Sequence, residues 1–192
     1  MPHRYRGGRL MVASQPSDIG VVRITGMSYD VEELEYKAET LDGERVFIRE
    51  HQLAEPDVSA FEAVLGPPGA GTLTPADVTR LRTFYAWVGM HGPDNGDPDG
   101  LILQAIRDPG LMRGGPPEPD DALVVWTDRR HLERSGSDSD WIVRIPFVAA
   151  CVLADGRAVV VNHGESRTLA INPDGVRMFA SLAHGSAAGS GR

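Results

Sequence analysis

Residues 34–49 read as a β-hairpin, and no other stretch restricts the fold so tightly. Leu34, Tyr36, Ala38 and Thr40 alternate with Glu35, Lys37 and Glu39, the period of a strand with one buried and one solvated face. Asp42–Gly43 follows as a reversal, because glycine accepts the positive φ that tight hairpin turns demand. The chain returns over Glu44–Arg49 with Val46 and Ile48 on one face. Upstream, Val22 and Ile24 face one way and Arg23 and Thr25 the other. From Arg9 to about Leu53 the pattern therefore predicts short strands in succession, forming a small curled sheet or barrel.

In strand length and turn spacing this stretch resembles Src-homology-3-like small barrels. The resemblance implies a module that binds protein or nucleic acid through its loops, although a fold by itself does not fix a function.

Beyond Leu53 the composition changes. Asp57–Leu65 predicts a short helix, and Gly66–Gly71 is dense in glycine and proline, the punctuation of a connector. Thr74 stands as a cap before Pro75 and Asp77. Val78, Leu81, Tyr85 and Val88 then recur at helical spacing. Leu101–Arg107 predicts a second helix, completing a helical hairpin across the loop Gly92–Gly100. Ala122–Thr127 reads as a buried strand, and Trp141–Leu153 as a longer apolar stretch interrupted by Arg144 and Pro146. Asp155–Gly156 turns the chain into a strand over Arg157–Asn162. Ser166–Ile171 adds another strand and Asp174–Leu182 a closing helix. The expected fold class is β-rich α+β: an N-terminal small sheet or barrel, a helical hairpin, then a mainly antiparallel sheet and a C-terminal helix. The expected division is a barrel-like domain over 1–56, a linker with a short helix over 57–75, an α+β domain over 76–184 and a flexible tail over 185–192.

Charge and cysteine narrow the function classes. The 192-residue chain has a formal net charge of −8, which opposes broad nucleic-acid binding and adsorption to anionic membranes. The opening cluster of His3, Arg4, Arg6 and Arg9 is the exception. It reads either as a basic arm or as a loose start upstream of an initiator at Met11. No apolar run approaches the roughly 20 residues needed to span a bilayer, and no secretory h-region opens the chain. Cys151 is the single cysteine, so a cytoplasmic location is expected. Its apolar neighbours Ala149, Ala150, Val152 and Leu153 mark it as a core residue. Trp87, Trp126 and Trp141 lie in apolar segments and read as core too.

Each motif for catalysis or metal binding lacks an essential member. Gly66–Pro67–Pro68–Gly69–Ala70–Gly71–Thr72 has the glycine spacing of a phosphate loop, but Thr72 stands where the lysine belongs, and Lys37 is the only lysine in the chain. Without that charge the loop offers amide dipoles at most. The acidic stretch Asp94–Gly100 resembles a calcium loop between two helices. Its twelfth position, however, is Ile106 rather than a bidentate glutamate, and Pro98 stiffens its middle. The histidines form no metal pattern, so no metal and no cofactor is expected.

Two polar segments remain as candidates. In His163–Gly164–Glu165–Ser166–Arg167 the imidazole of His163 can serve as a general base oriented by Glu165, with Ser166 as a nucleophile. Asp128–Arg129–Arg130–His131 with Arg134 is the internal cationic cluster, and Arg129, Arg130 and Arg134 can fork onto a phosphate or carboxylate. The favoured function is a non-catalytic binding or regulatory protein that works through a protein partner. The competing one is a small hydrolase or transferase built from His163, Glu165 and the arginines; convergence of the 163–167 loop and the 129–134 segment on one concave pocket favours it, and their lying on a convex rim counts against it.

Overall fold

The computed structural model describes residues 9–13, 19–29, 34–54, 64–66, 73–90, 97–107, 122–135 and 139–185. The N-terminal part is a four-stranded antiparallel sheet of β1 (Leu10–Val12), β2 (Val21–Tyr29), β3 (Leu34–Thr40) and β4 (Arg45–Arg49), in that spatial order. The predicted hairpin is β3–β4, with Ala38 opposite Val46 and Tyr36 opposite Ile48. Gly43 takes a φ of 88° at its turn. The register of β2 against β3 slips between Ile24 and Gly26, a bulge of the kind that increases strand twist.

The sheet is curled but not closed. After β4 a 3₁₀ turn (Glu50–Gln52) brings the chain back to the first strand. There Leu53 makes an isolated bridge with Ala13, and Ala54 N–H donates to Val12 O at 2.8 Å.

The remainder contains α1 (Pro75–Arg82), β5 (Tyr85–Met90), α2 (Pro98–Arg107), β6 (Leu123–Val125), α3 (Arg129–Arg134), β7 (Trp141–Pro146), α4 (Phe147–Leu153), β8 (Val159–Val161), β9 (Leu169–Ile171) and α5 (Pro173–Ala183). Thr74 caps α1 as expected. Its hydroxyl accepts from Asp77 N–H, while the Asp77 carboxylate accepts from Thr74 N–H at 2.9 Å, a reciprocal box that satisfies two orphan donors. Asn172 caps α5 in the same manner, accepting from Gly175 N–H at 2.8 Å.

The helical hairpin is where the element pattern differs. The helix that the spacing carries through Val88 ends at Arg82, and Tyr85–Met90 is a strand standing between the two helices. β5 pairs with β7 along one edge and bridges β6 along the other through Trp87 and Trp126. Tyr85–Met90 carries no charged residue and no polar–apolar alternation, so its spacing also fits a helix. The apolar stretch 141–153 likewise divides. Pro146 has no N–H with which to extend the β5–β7 ladder, and the chain turns there into α4.

The second sheet is mixed. β6 and β8 run parallel, with Val125 beside Val161, and β9 is antiparallel to β8. The parallel pair is possible because α3, β7 and α4 lie between its strands in sequence and supply the long crossover that a parallel connection needs. Through the Trp87–Trp126 bridge, whose two backbone hydrogen bonds are 2.7 and 2.9 Å, the strand order reads β7-β5-β6-β8-β9.

Both parts of the chain contribute to one apolar core, which includes Leu10, Val22 and Ile48 from the first sheet and Phe147, Val159 and Phe179 from the rest. Polar contacts join them as well. The Tyr85 hydroxyl accepts from Val12 N–H at 3.0 Å and donates to Ala54 O at 3.3 Å. Arg107 donates to Leu41 O at 2.9 Å and pairs with Glu39 at 2.8 Å. Gly20, at φ 75°, lies so close to the end of α5 that a Cβ there would stand 2.3 Å from Ala183 O. No helix among the described residues is long and apolar enough to cross a membrane.

Candidate functional site

The two polar segments that the sequence singled out meet at the carboxyl ends of β6 and β8. At the ends of a parallel pair, connections that leave in different directions open a crevice between them. From β6 the chain passes through Trp126 and Thr127 into α3, which Asp128 caps by accepting from Arg130 N–H at 2.8 Å. From β8 it passes into the turn Asn162–Glu165, closed by Glu165 N–H donating to Asn162 O at 3.1 Å.

Asn162 holds the two exits together. Only 4% exposed, it sits in the left-handed region at φ 55°, a conformation in which asparagine is among the few tolerated side chains. Its Oδ1 accepts from Thr127 N–H at 2.9 Å, and its Nδ2 donates to the Thr127 hydroxyl at 3.0 Å. Its own N–H donates to Val125 O, continuing the parallel ladder by one step. Gly164 takes a φ of 80° two residues later, and Glu165 reaches His131 on α3 while His163 lines the same cavity.

The result is an open pocket of about 470 Å³. Gly89, Val124 and Trp126 form its floor, α3 supplies His131, Arg134 and the following Ser135, and the turn supplies His163 and Glu165. Nδ1 of His131 lies 3.4 Å from Glu165 Oε1, within ion-pairing range for a protonated ring but not aligned as a hydrogen bond. That nitrogen is buried and has no hydrogen-bond partner.

His163, Glu165 and Arg134 thus share one concavity. The other two arginines do not line it. Arg129 points along the helix to Glu133, 2.7 Å away, and the Arg130 side chain is exposed. Ser166 is exposed outside the lining. Ser135 lines the pocket, but its hydroxyl donates to Leu132 O at 2.7 Å as part of the helix end. Cys151 is buried in α4, where burial pushes its thiol far above the usual range.

Sequence reasoning placed His131 in the cationic cluster without giving it a role, read Trp126 as core, and passed over Asn162. One signal was present: 131, 134 and 135 fall on one face of a helix. Asn162 gave none, because its role rests on a contact with Thr127 across two strands.

The other motifs contribute little. Among the described residues no group of His, Cys, Asp and Glu is arranged to hold a metal. Within the expected calcium loop, Pro98–Gly100 begin α2 and Asp97 pairs with Arg23, while residues 91–96 lie outside the described residues. So do 67–72 of the phosphate-loop-like stretch, 57–63 of the expected short helix, and the tail from 186. Gly66 bridges Thr168. Compared with protein-family models, curated proteins and solved structures, the chain matches none.

Proposed function

We propose that this protein is a non-catalytic binding protein of regulatory type, and that its pocket between α3 and the 162–165 turn holds a small anionic ligand. The observation that carries the reading is the pocket lining. Arg134 and His131 face the cavity from α3 and His163 from the turn opposite; among the described residues Glu165 is the only carboxylate in the lining, and its one hydroxyl, on Ser135, is engaged with Leu132 O. A guanidinium flanked by imidazoles suits a carboxylate or phosphate. The protein partner remains part of the proposal. Phe47, 62% exposed on the edge strand β4, gives such a partner an apolar contact. A cytoplasmic setting accords with the single buried thiol.

The test is calorimetric titration of the wild-type chain with phosphate, acetate, citrate and a nucleoside monophosphate, repeated on Arg134→Gln and His163→Ala. Saturable binding of at least one anion, weakened by about tenfold or more in each variant, is the expected result, since hydrogen bonds to charged groups are the strong ones. Wild-type affinity in both variants would end the proposal.

A second reading, a small hydrolase or transferase, is favoured by the meeting of the 163–165 turn and α3 in one concave pocket, where His131 approaches Glu165 to 3.4 Å beside His163, an arrangement suited to activating water by general-base catalysis. Steady turnover of p-nitrophenyl acetate or phosphate that vanishes in both His163→Ala and Glu165→Gln would establish it over the first.

A further inference from the structure

Arg144 has its guanidinium against two aromatic rings and its Nε facing no acceptor. It lies on β7 directly opposite Trp87 of β5, and its Cζ stands 5.8 Å from the ring centroids of both Trp87 and Tyr85. Those rings are two residues apart on one strand, so they flank the guanidinium from the same sheet face. The side chain is half-buried, and its Nε is fully buried without a hydrogen-bond partner. Among the described residues no carboxylate pairs with it.

The surroundings add positive charge. β1 packs on β7, and Arg9, immediately before β1, is fixed there by Ile24 N–H donating to its carbonyl at 2.9 Å. Burial first, and then the Arg9 charge, press the Arg144 pKa below its ordinary value. A half-buried cation beside another cation is a costly arrangement, and stacking on aromatic rings offsets only part of that cost. What stacking does secure is orientation. The rings hold the guanidinium in place, and arginine is the side chain that makes a planar two-point contact with oxoanions.

We propose that Arg144, held by Tyr85 and Trp87 and seconded by Arg9, is a second anion site, selective for a carboxylate or phosphate group and separate from the pocket beside α3. The two rings around the guanidinium, and the lack of any carboxylate pairing with it among the described residues, together carry this assignment. A surface arginine that merely snorkels would keep its head in water rather than between rings. The site takes a small oxoanion, free or at the end of a larger molecule.

The test uses inorganic phosphate and acetate as probes, following the arginine Nε–Hε resonances by NMR. The Arg144 resonance is expected to shift and saturate with one or both anions. Arg144→Lys, which keeps the charge but not the fork, should lose saturable binding as followed on the Arg9 resonance. Affinity should fall about tenfold in Arg9→Gln, a substitution at the chain's edge that leaves the stack in place. Arg134→Gln should leave the Arg144 response intact, which separates this site from the pocket. An Arg144 resonance that stays still at tens of millimolar probe, drifts without saturation along with every exposed arginine, or responds identically in Arg9→Gln, would overturn the assignment.

Discussion

Replacing Asn162 by alanine isolates the contact that assembles the pocket. The substitution removes the acceptor of Thr127 N–H and the donor to the Thr127 hydroxyl. Leaving a part-buried backbone donor such as Thr127 N–H without a partner costs about 1–3 kcal/mol. The backbone adds to this, because alanine at φ 55° enters the left-handed region at about 1 kcal/mol or more. The expected loss is therefore about 3 kcal/mol, a fall in Tm of about 6–12 °C for a chain of this size. Glycine at the same position forfeits the same hydrogen bonds but occupies the left-handed region without a Cβ. Asn162→Gly should therefore be milder than Asn162→Ala by about 1 kcal/mol. Urea unfolding of the three proteins, followed by tryptophan fluorescence, measures both differences. If glycine is the worse substitution, or if alanine lies within about 0.5 kcal/mol of wild type as an ordinary surface change does, then Asn162 is not the tie between β6 and β8.

Phe147→Ala should cost about 4 kcal/mol in the same assay, since the ring is fully buried and meets Phe84 and Phe179 edge-on at 6.3 and 5.5 Å; a loss below about 1 kcal/mol would show the core to be packed otherwise. Cys151 should ignore a disulfide reagent at pH 8 in the native protein and react at once in denaturant, because burial holds it as a thiol; fast native labelling would contradict its burial. Asp77 should titrate below the ordinary carboxylate range, chiefly because it accepts from the Thr74 hydroxyl and then from Thr74 N–H. A lowered folded pKa means that this cap stabilises the protein above the unfolded pKa and that its contribution is lost as pH falls through the folded value. A carboxyl NMR titration should place the Asp77 midpoint higher in Thr74→Ala than in wild type, and an unmoved midpoint would refute the cap.

The β3–β4 hairpin, the Thr74 cap and α5 could be read from the chain because local chemistry decides each of them. Tyr36 and Ile48 need only a turn at Gly43 to meet, and Asn172 followed by Pro173 is a cap and first-turn pair that favours a helix start locally. Tyr85–Met90 could not be read in this way. Its state depends on β7 and β6 arriving on either side, and its residues show no polar–apolar alternation. The pocket was half legible. His163, Glu165 and Arg134 stood out as charged or titratable residues near strand ends. Nothing local separated Arg134, which faces the cavity, from Arg129, which turns to Glu133. The parallel pairing of β6 and β8, on which the meeting of the two segments depends, spans 35 residues between Thr127 and Asn162, and neither strand announces it.

Along one edge β5 is stitched to β7 at six paired positions, whereas among the described residues a single pair, Trp87 with Trp126, stitches it to β6. Shear between the two ladders therefore concentrates at that seam, since slipping it breaks only two backbone hydrogen bonds. The pocket floor straddles it, with Gly89 on one bank and Val124 and Trp126 on the other. A floor joined at one point is the least restrained part of the cavity's wall, whereas the apolar core behind it is packed on every side.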